Sequence, residues 1–164
     1  MKTLIIYDSA YGNTAKVADR VARIAAQYGK VREELANEVE GKDFEDVDML
    51  FIGTPTQGGR PTPDLQAVID DYAYTLSGTV HVAPFDTRLS AKTVGRGLRL
   101  LMKIIGFASP KIAGAFRRDS KCIIEPAEGF IVKDAEGPLV KGELDRAAVW
   151  AERILRSVKN GSNC

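Results

Sequence analysis

Histidine, tryptophan and cysteine are nearly missing from this chain, which has one, one and two of them in 164 residues. So few imidazoles and thiols leave no metal-ligand spacing and no disulfide framework. His81 lies inside an apolar run, where it reads as a satisfied core or edge histidine rather than a ligand. Cys122 sits in an apolar segment and reads as an inert buried thiol. Cys164 reads as a frayed, exposed one, suited to a reducing compartment. Net charge is also lacking, since 23 Lys+Arg oppose 22 Asp+Glu, so nothing general favours nucleic acid or an anionic membrane as the main partner. No apolar stretch nears the roughly 20 residues of a membrane helix. The opening Met1–Asp8 meets an acid too early for a signal peptide. With 45% hydrophobic and 27% charged residues, the expectation is a cytoplasmic globular protein. No repeat, low-complexity tract or linker interrupts it, so one domain is expected over residues 1–164.

What is present is a regular alternation of short apolar runs and amphipathic stretches. Leu4–Tyr7, Met49–Gly53 and Val80–Phe85 are too brief for helices and read as strands buried on both faces. A weaker strand is expected over Val31–Ala36, and Cys122–Ile124 with Phe130–Val132 as one strand or two halves of one. Val17, Ala18, Val21, Ile24 and Ala25 recur at helical spacing after a cap at Asn13 or Thr14, and Gly29 closes that helix. Leu65, Val68, Ile69 and Tyr72 mark a second helix after Pro63. A third stretch runs from Ser90 to Phe107, broken at Gly95 and Gly97, and Ile112–Arg118 stays unassigned. Leu144, Ala147, Ala148, Ala151, Ile154 and Leu155 form the apolar side of a closing helix over Glu143–Val158. Strands alternating with helices give an α/β, doubly wound parallel sheet.

In such sheets ligands bind beyond the carboxyl ends of the strands, where the strand order reverses. Three segments there are unusual for plain connections. Ser9, Ala10, Tyr11, Gly12, Asn13 and Thr14 join the first strand to the first helix, with three polar side chains and a glycine but no cation. They read either as an anion site of neutral donors at a helix head or as a capped helix after a tight turn. The absence of a Gly-Lys-Ser/Thr ending excludes a P-loop. Pro55, Thr56, Gln57, Gly58 and Gly59 follow the second strong run, and read as a surface for close backbone approach or as a Gly-Gly turn before a helix. Phe85, Asp86, Thr87 and Arg88 form a loop after the next strand; Arg88 is either aimed at a ligand's developing negative charge, solvated, or paired with Asp86 at a helix cap. Gly95-Arg96-Gly97 lacks the preceding strand and third glycine of a dinucleotide fingerprint. The basic run of Arg96, Arg99, Lys103, Lys111, Arg117 and Arg118 is either a solvated helix face or a docking patch for an acidic redox partner.

Ile5 through Ala18 resembles the flavodoxin signature, with the aromatic Tyr7, then Ser9, Gly12, Thr14 and Ala18 in place. Gly53-Thr54-Pro55-Thr56 is similar to that family's Gly-Ser/Thr-Pro-Thr, and Asp86-Thr87 to its third loop. The resemblance implies a flavodoxin-like, three-layer, doubly wound five-stranded parallel sheet in the order 2-1-3-4-5, binding FMN. It assigns the FMN phosphate to residues 9–14, the isoalloxazine flank to Pro55–Gly59, and the pyrimidine edge to Phe85–Arg88. It also implies that a glycine peptide at Gly58 or Gly59 reorients when flavin N5 takes up a proton. Two departures stand out. Many carriers sandwich the ring between Trp and Tyr, where this chain has Gln57 and Leu89, its Trp150 being expected to pack on the last helix. Such carriers are also strongly acidic, as this chain is not. The expected function is electron transfer by FMN, with no catalytic side chain and with a redox protein or small acceptor such as a quinone as partner. The alternatives are an FMN-dependent NAD(P)H:quinone reductase and a cofactor-free regulatory or interaction domain.

Overall fold

The computed structural model describes residues 1–90 and 95–161, and their side chains except those of Leu98, Arg99, Leu101 and Met102. The apolar runs become strands because each has two faces to bury. In β1 (Lys2–Tyr7) Leu4 and Ile6 enter one hydrophobic layer and Ile5 the other, the period-two alternation of a strand. β3 (Met49–Pro55) repeats it, with Leu50 and Ile52 against Met49 and Phe51. With β2 (Lys30–Leu35), β4 (His81–Leu89) and β5 (Ile123–Ile124) they form an all-parallel sheet in the order β2-β1-β3-β4-β5. A sixth strand, β6 (Glu128–Val132), also pairs with β4 in parallel. The expected order holds, and the fifth strand comes as two halves. Pro126 falls in the gap between them, where a residue without an N–H cannot extend a ladder.

Helices α1 (Asn13–Ala25) and α5 (Glu143–Gly161) cover one face of the sheet. α2 (Pro63–Tyr72) and α4 (Ala108–Asp119) cover the other. The first layer centres on Trp150, whose ring meets Phe51, Phe85 and Phe130 edge to face at 5.4, 6.0 and 5.8 Å. Each such pair contributes about 0.5–1.5 kcal/mol beyond its burial. The indole N–H is satisfied by donating to the Pro126 carbonyl at 3.0 Å. α3 (Arg96–Ile105) follows β4.

Several local expectations change. Gly12, not Asn13 or Thr14, is the residue before α1, and it has no side chain with which to cap the helix. α1 ends before Gly29, which is instead required by a close approach, since a Cβ there would lie 2.0 Å from the Met1 carbonyl oxygen. The helical stretch expected from Ser90 begins at Arg96 and runs through Gly97; residues 91–94 lie outside the described ones, as does Cys164. The unassigned Ile112–Arg118 is the body of α4. Leu144 is exposed rather than on the apolar side of α5. Cys122 precedes β5 instead of lying in a strand, and is half-buried with Sγ 2.7 Å from Ser120 Oγ. Burial raises its thiol pKa, opposed by the Ser120 contact. His81 is paired through Nδ1 with Glu125 at 2.7 Å.

Candidate functional site

β1 sends the chain outward to β2 on one side, while β3 lies on its other side. The connections after β1 and β3 therefore part at the carboxyl edge and leave a crevice. A cleft of about 280 Å³ opens there. It is lined by Ser9, Ala10, Tyr11, Asn13 and Thr14 from the first loop, Pro55, Thr56 and Gln57 from the second, and Thr87, Arg88 and Leu89 from the end of β4. Val132 and Ala135, after β6, complete it.

The first loop is shaped as a cradle of backbone donors. Gly12 turns the chain at φ +76°, and a Cβ there would meet nothing within 4 Å. Its positive φ, rather than crowding, is what favours glycine. Ser9 accepts the Ala15 N–H through Oγ at 3.1 Å, tying the loop's start to the helix it feeds. Among the described residues none accepts the N–H groups of Ala10, Tyr11, Gly12, Asn13 or Thr14. Unpaired donors at a helix head, with the positive end of the helix dipole behind them, suit a phosphate. FMN carries a monophosphate, and the donor set fits it.

Asn13 and Thr14 use their side chains differently from a simple cradle. Asn13 is buried and donates from Nδ2 to the Glu136 carbonyl at 2.9 Å, which clamps the loop after β6 to α1. Gly137 makes room for it, since a Cβ there would lie 2.3 Å from Asn13 Nδ2. Thr14 Oγ1 and Thr87 Oγ1 share a buried hydrogen bond of 2.9 Å. One hydroxyl proton is spent within this pair, so only the other is left for a ligand.

The second loop is a tight turn. Gln57 and Arg60 exchange two backbone hydrogen bonds, of 3.0 and 2.9 Å. Gly58 and Gly59 between them adopt φ +53° and +75°, the paired positive values that a two-residue hairpin turn demands. The two glycines differ. Gly58 has open space where a Cβ would stand, whereas at Gly59 a Cβ would lie 2.2 Å from Ile105 Cγ2. Thr56 Oγ1 accepts the Ala108 N–H at 3.0 Å, linking this loop to the head of α4.

The third segment is not a loop. Phe85 through Leu89 lie within β4, because β3 pairs with it up to Pro55↔Thr87 and β6 pairs from Phe85↔Glu128 to Leu89↔Val132. Strand alternation therefore separates their side chains. Phe85 is fully buried in the aromatic layer beneath Gly53, where a Cβ would lie 2.1 Å from its ring. Thr87 faces Thr14. Asp86 and Arg88 turn to the opposite face. The fully buried Asp86 carboxylate accepts Arg88 Nε and Nη2 and the Ser109 N–H, the last at 2.7 Å. It thus caps α4. Arg88 also donates to Ser109 Oγ at 2.9 Å and lies over the Phe107 ring at 4.0 Å. Of the three alternatives for Arg88, the structure has the capping pair. Its guanidinium borders the cleft as half of a neutral ion pair rather than as a free cation.

Of the residues named from sequence, Gly12, Gly58, Gly59, Phe85 and Asp86 do not line the cleft with the rest. Gln57 and Leu89 both line it, so no aromatic stands at either of those positions. Tyr11, 58% exposed, is the aromatic side chain at its edge among the described residues. Val132 and Ala135 were missed because two small apolar residues carry no signal until β6 pairs with β4.

The sequence model of the flavodoxin family matches residues 5–97, a span from β1 into α3. No curated protein sequence matches significantly. Among solved structures, a flavodoxin from the domain Archaea is 17% identical, with a TM-score of 0.74 over 97% of this chain and 99% of that one. The flavodoxin of Megasphaera elsdenii, solved in its two-electron reduced form, is 18% identical with a TM-score of 0.65 over 92% and 98%. The Flv1 flavodiiron core from Synechocystis is 18% identical with a TM-score of 0.74; the match covers 98% of this chain but 36% of that one. At these identities the likenesses speak for the fold, and the family match speaks for descent. The chain belongs to the flavodoxin family and is an FMN-binding electron-transfer protein.

Proposed function

We propose that the FMN monophosphate is held by the loop Ser9–Thr14, through the backbone donors of Ala10–Thr14, with Ser9 Oγ and the free proton of the Thr14–Thr87 pair beside them. The observation that carries this is the row of unpartnered N–H groups from Ala10 to Thr14 at the head of α1. Pro55, Thr56, Gln57 and the Gly58–Gly59 turn flank the isoalloxazine ring, with Thr87 and Arg88 along its other border. Bound FMN supplies the redox chemistry, and the protein sets its orientation and access. A Cβ at Gly58 would meet nothing, which favours the Gly58–Gly59 peptide as the one that turns, whereas Ile105 packs close against Gly59. Asp86 and Phe85 act from behind, fixing α4 and the sheet. The protein is read as a carrier between redox partners. Titration of the apoprotein with FMN and with riboflavin tests the phosphate site. FMN is expected to bind at least about tenfold more tightly, or roughly 1.4 kcal/mol, with flavin absorbance near 450 nm (order of magnitude from flavin chemistry). Equal affinities reject the placement, and no binding of either favours a cofactor-free interaction domain.

A second reading rests on Gln57 and Leu89, which put no aromatic ring where many carriers stack one and leave room for a quinone on the flavin. It makes the protein an FMN-dependent NAD(P)H:quinone reductase. Steady-state NAD(P)H oxidation by the holoprotein with a soluble quinone decides between the two, and no turnover leaves the carrier.

A further inference from the structure

Charge is balanced over the whole chain but not along it. Residues 87–118 contain eight Lys and Arg and no Asp or Glu, while the remainder carries 15 basic against 22 acidic residues. The fold turns this segment into one border of the cleft, because Arg88 lines it and Ile105 and Gly106 at the end of α3 pack on Gly59. On α3, Arg96, Leu100 and Ile104 follow at steps of four and Lys103 stands three after Leu100, so the four share one stripe. All four are exposed, Leu100 by 61% and Ile104 by 75%. Among the described residues Arg96, Lys103, Lys111 and Arg117 have no ion-pair partner, and neither has Arg60 in the glycine turn that α3 touches.

Resting on the reading of the cleft as the FMN site, we infer that the exposed stripe of α3 and the cations beside it dock an acidic redox protein. Two apolar side chains flanked on the same helix by the unneutralised Arg96 and Lys103, at the edge where electrons leave, match a small and transient contact. Such encounters are at the low end of interface size and are steered by opposite charge. A lipid surface fits less well, because two exposed apolar side chains on a ten-residue helix bury little area in an acyl layer. The sign is the reverse of the acidic face that suits basic partners.

The test uses an acidic [2Fe–2S] ferredoxin and a basic c-type cytochrome as probes of opposite charge. Calorimetric affinity is measured at low and high salt, with and without flavin bound, so docking is read even if the flavin site is misplaced. In the rate measurement the reduced cluster gives up one electron and is oxidised while FMN takes it and is reduced; no bond to the protein changes. Ferredoxin is expected to bind the wild type, to weaken with salt, and to lose roughly tenfold or more in Arg96→Glu/Lys103→Glu. Ile104→Ser is expected to weaken it without changing the salt slope. Helicity, FMN affinity and reduction by dithionite should be unaltered in both variants. Stronger binding of the cytochrome, salt-independent binding of ferredoxin, or unaltered affinity in the variants overturns the assignment. So does loss of sedimentation with phosphatidylglycerol vesicles in variants that still bind ferredoxin normally.

Discussion

Thr14 at the head of α1 and Thr87 near the end of β4 meet hydroxyl to hydroxyl at 2.9 Å, both almost wholly buried. The bond joins residues 73 positions apart and ties the loop before α1 to the end of β4 across the cleft. Thr14→Val is expected to lower FMN affinity about tenfold, and Thr87→Val similarly, from a loss of about 1.5 kcal/mol each. Because the two share one bond, the double variant should lose clearly less than the sum. Fluorescence titration of the four proteins measures this; strict additivity means that the hydroxyls act separately.

Arg88→Ala should act first on stability. It leaves the Asp86 carboxylate, fully buried, without its cation, a loss on the order of 3–5 kcal/mol for a broken buried pair. Arg88→Lys is expected to recover little, since an ammonium cannot span both carboxylate oxygens and stack on Phe107. Urea unfolding of the apoproteins is the measurement. If the second-electron potential of FMN also falls in Arg88→Ala, the guanidinium additionally favours the reduced ring; an unmoved potential restricts Arg88 to its cap.

The two glycines of the turn should respond unequally to alanine. Gly58→Ala meets only the cost of a positive φ, about 1–2 kcal/mol. Gly59→Ala adds a methyl against Ile105, for roughly 1–3 kcal/mol more. With a fall in Tm of about 2–4 °C per kcal/mol at this chain length, calorimetry separates them easily. Equal losses would mean that α3 moves aside freely.

Glu33 gives the fold a pH dependence. Burial, and then the carboxylate of Asp19, raise its pKa above the ordinary 4.5, against a smaller lowering by Arg23. A raised folded pKa means that the native state holds this proton more firmly. Stability from this group is therefore complete below the ordinary value and lost as pH rises through the raised one. Glu33→Gln should stabilise the protein at pH 7 but not at pH 4, by urea midpoint, and added salt should shrink the difference. An equal effect at both pH values assigns it to packing instead.

The sheet was readable because its central strands are buried on both faces, so Leu4–Ile6 and Met49–Ile52 announce themselves as unbroken apolar runs. The contribution of residues 9–14 to the cleft was readable because their residue types are local and contiguous. Phe85–Leu89 was misread as a loop, since the partners that make it a strand, Gly53–Pro55 of β3 and β6 more than forty residues later, meet it only in the folded sheet. The Asp86–Arg88 pair was among the alternatives, but its tie to Ser109, and that of Asn13 to Glu136, were hidden, because each joins elements that only the folded layers bring together. Arg88 shows the limit most plainly: a cation beside a cleft and a cation capping a helix look identical in sequence.

β6 has a further consequence for how the molecule meets copies of itself. Its outward groups are already taken: Ile131 donates its N–H to Glu143 Oε2 at 2.7 Å, and Ile131 O accepts the Val140 N–H at 2.8 Å. Lys133 donates to the Pro138 carbonyl at 2.9 Å. At the opposite margin of the sheet, β2 presents Lys30, Arg32, Glu33 and Glu34. The β6 part of one margin is thus shielded by its own chain and the other margin carries charged side chains, which blunts both as templates on which a foreign strand could grow into an aggregate.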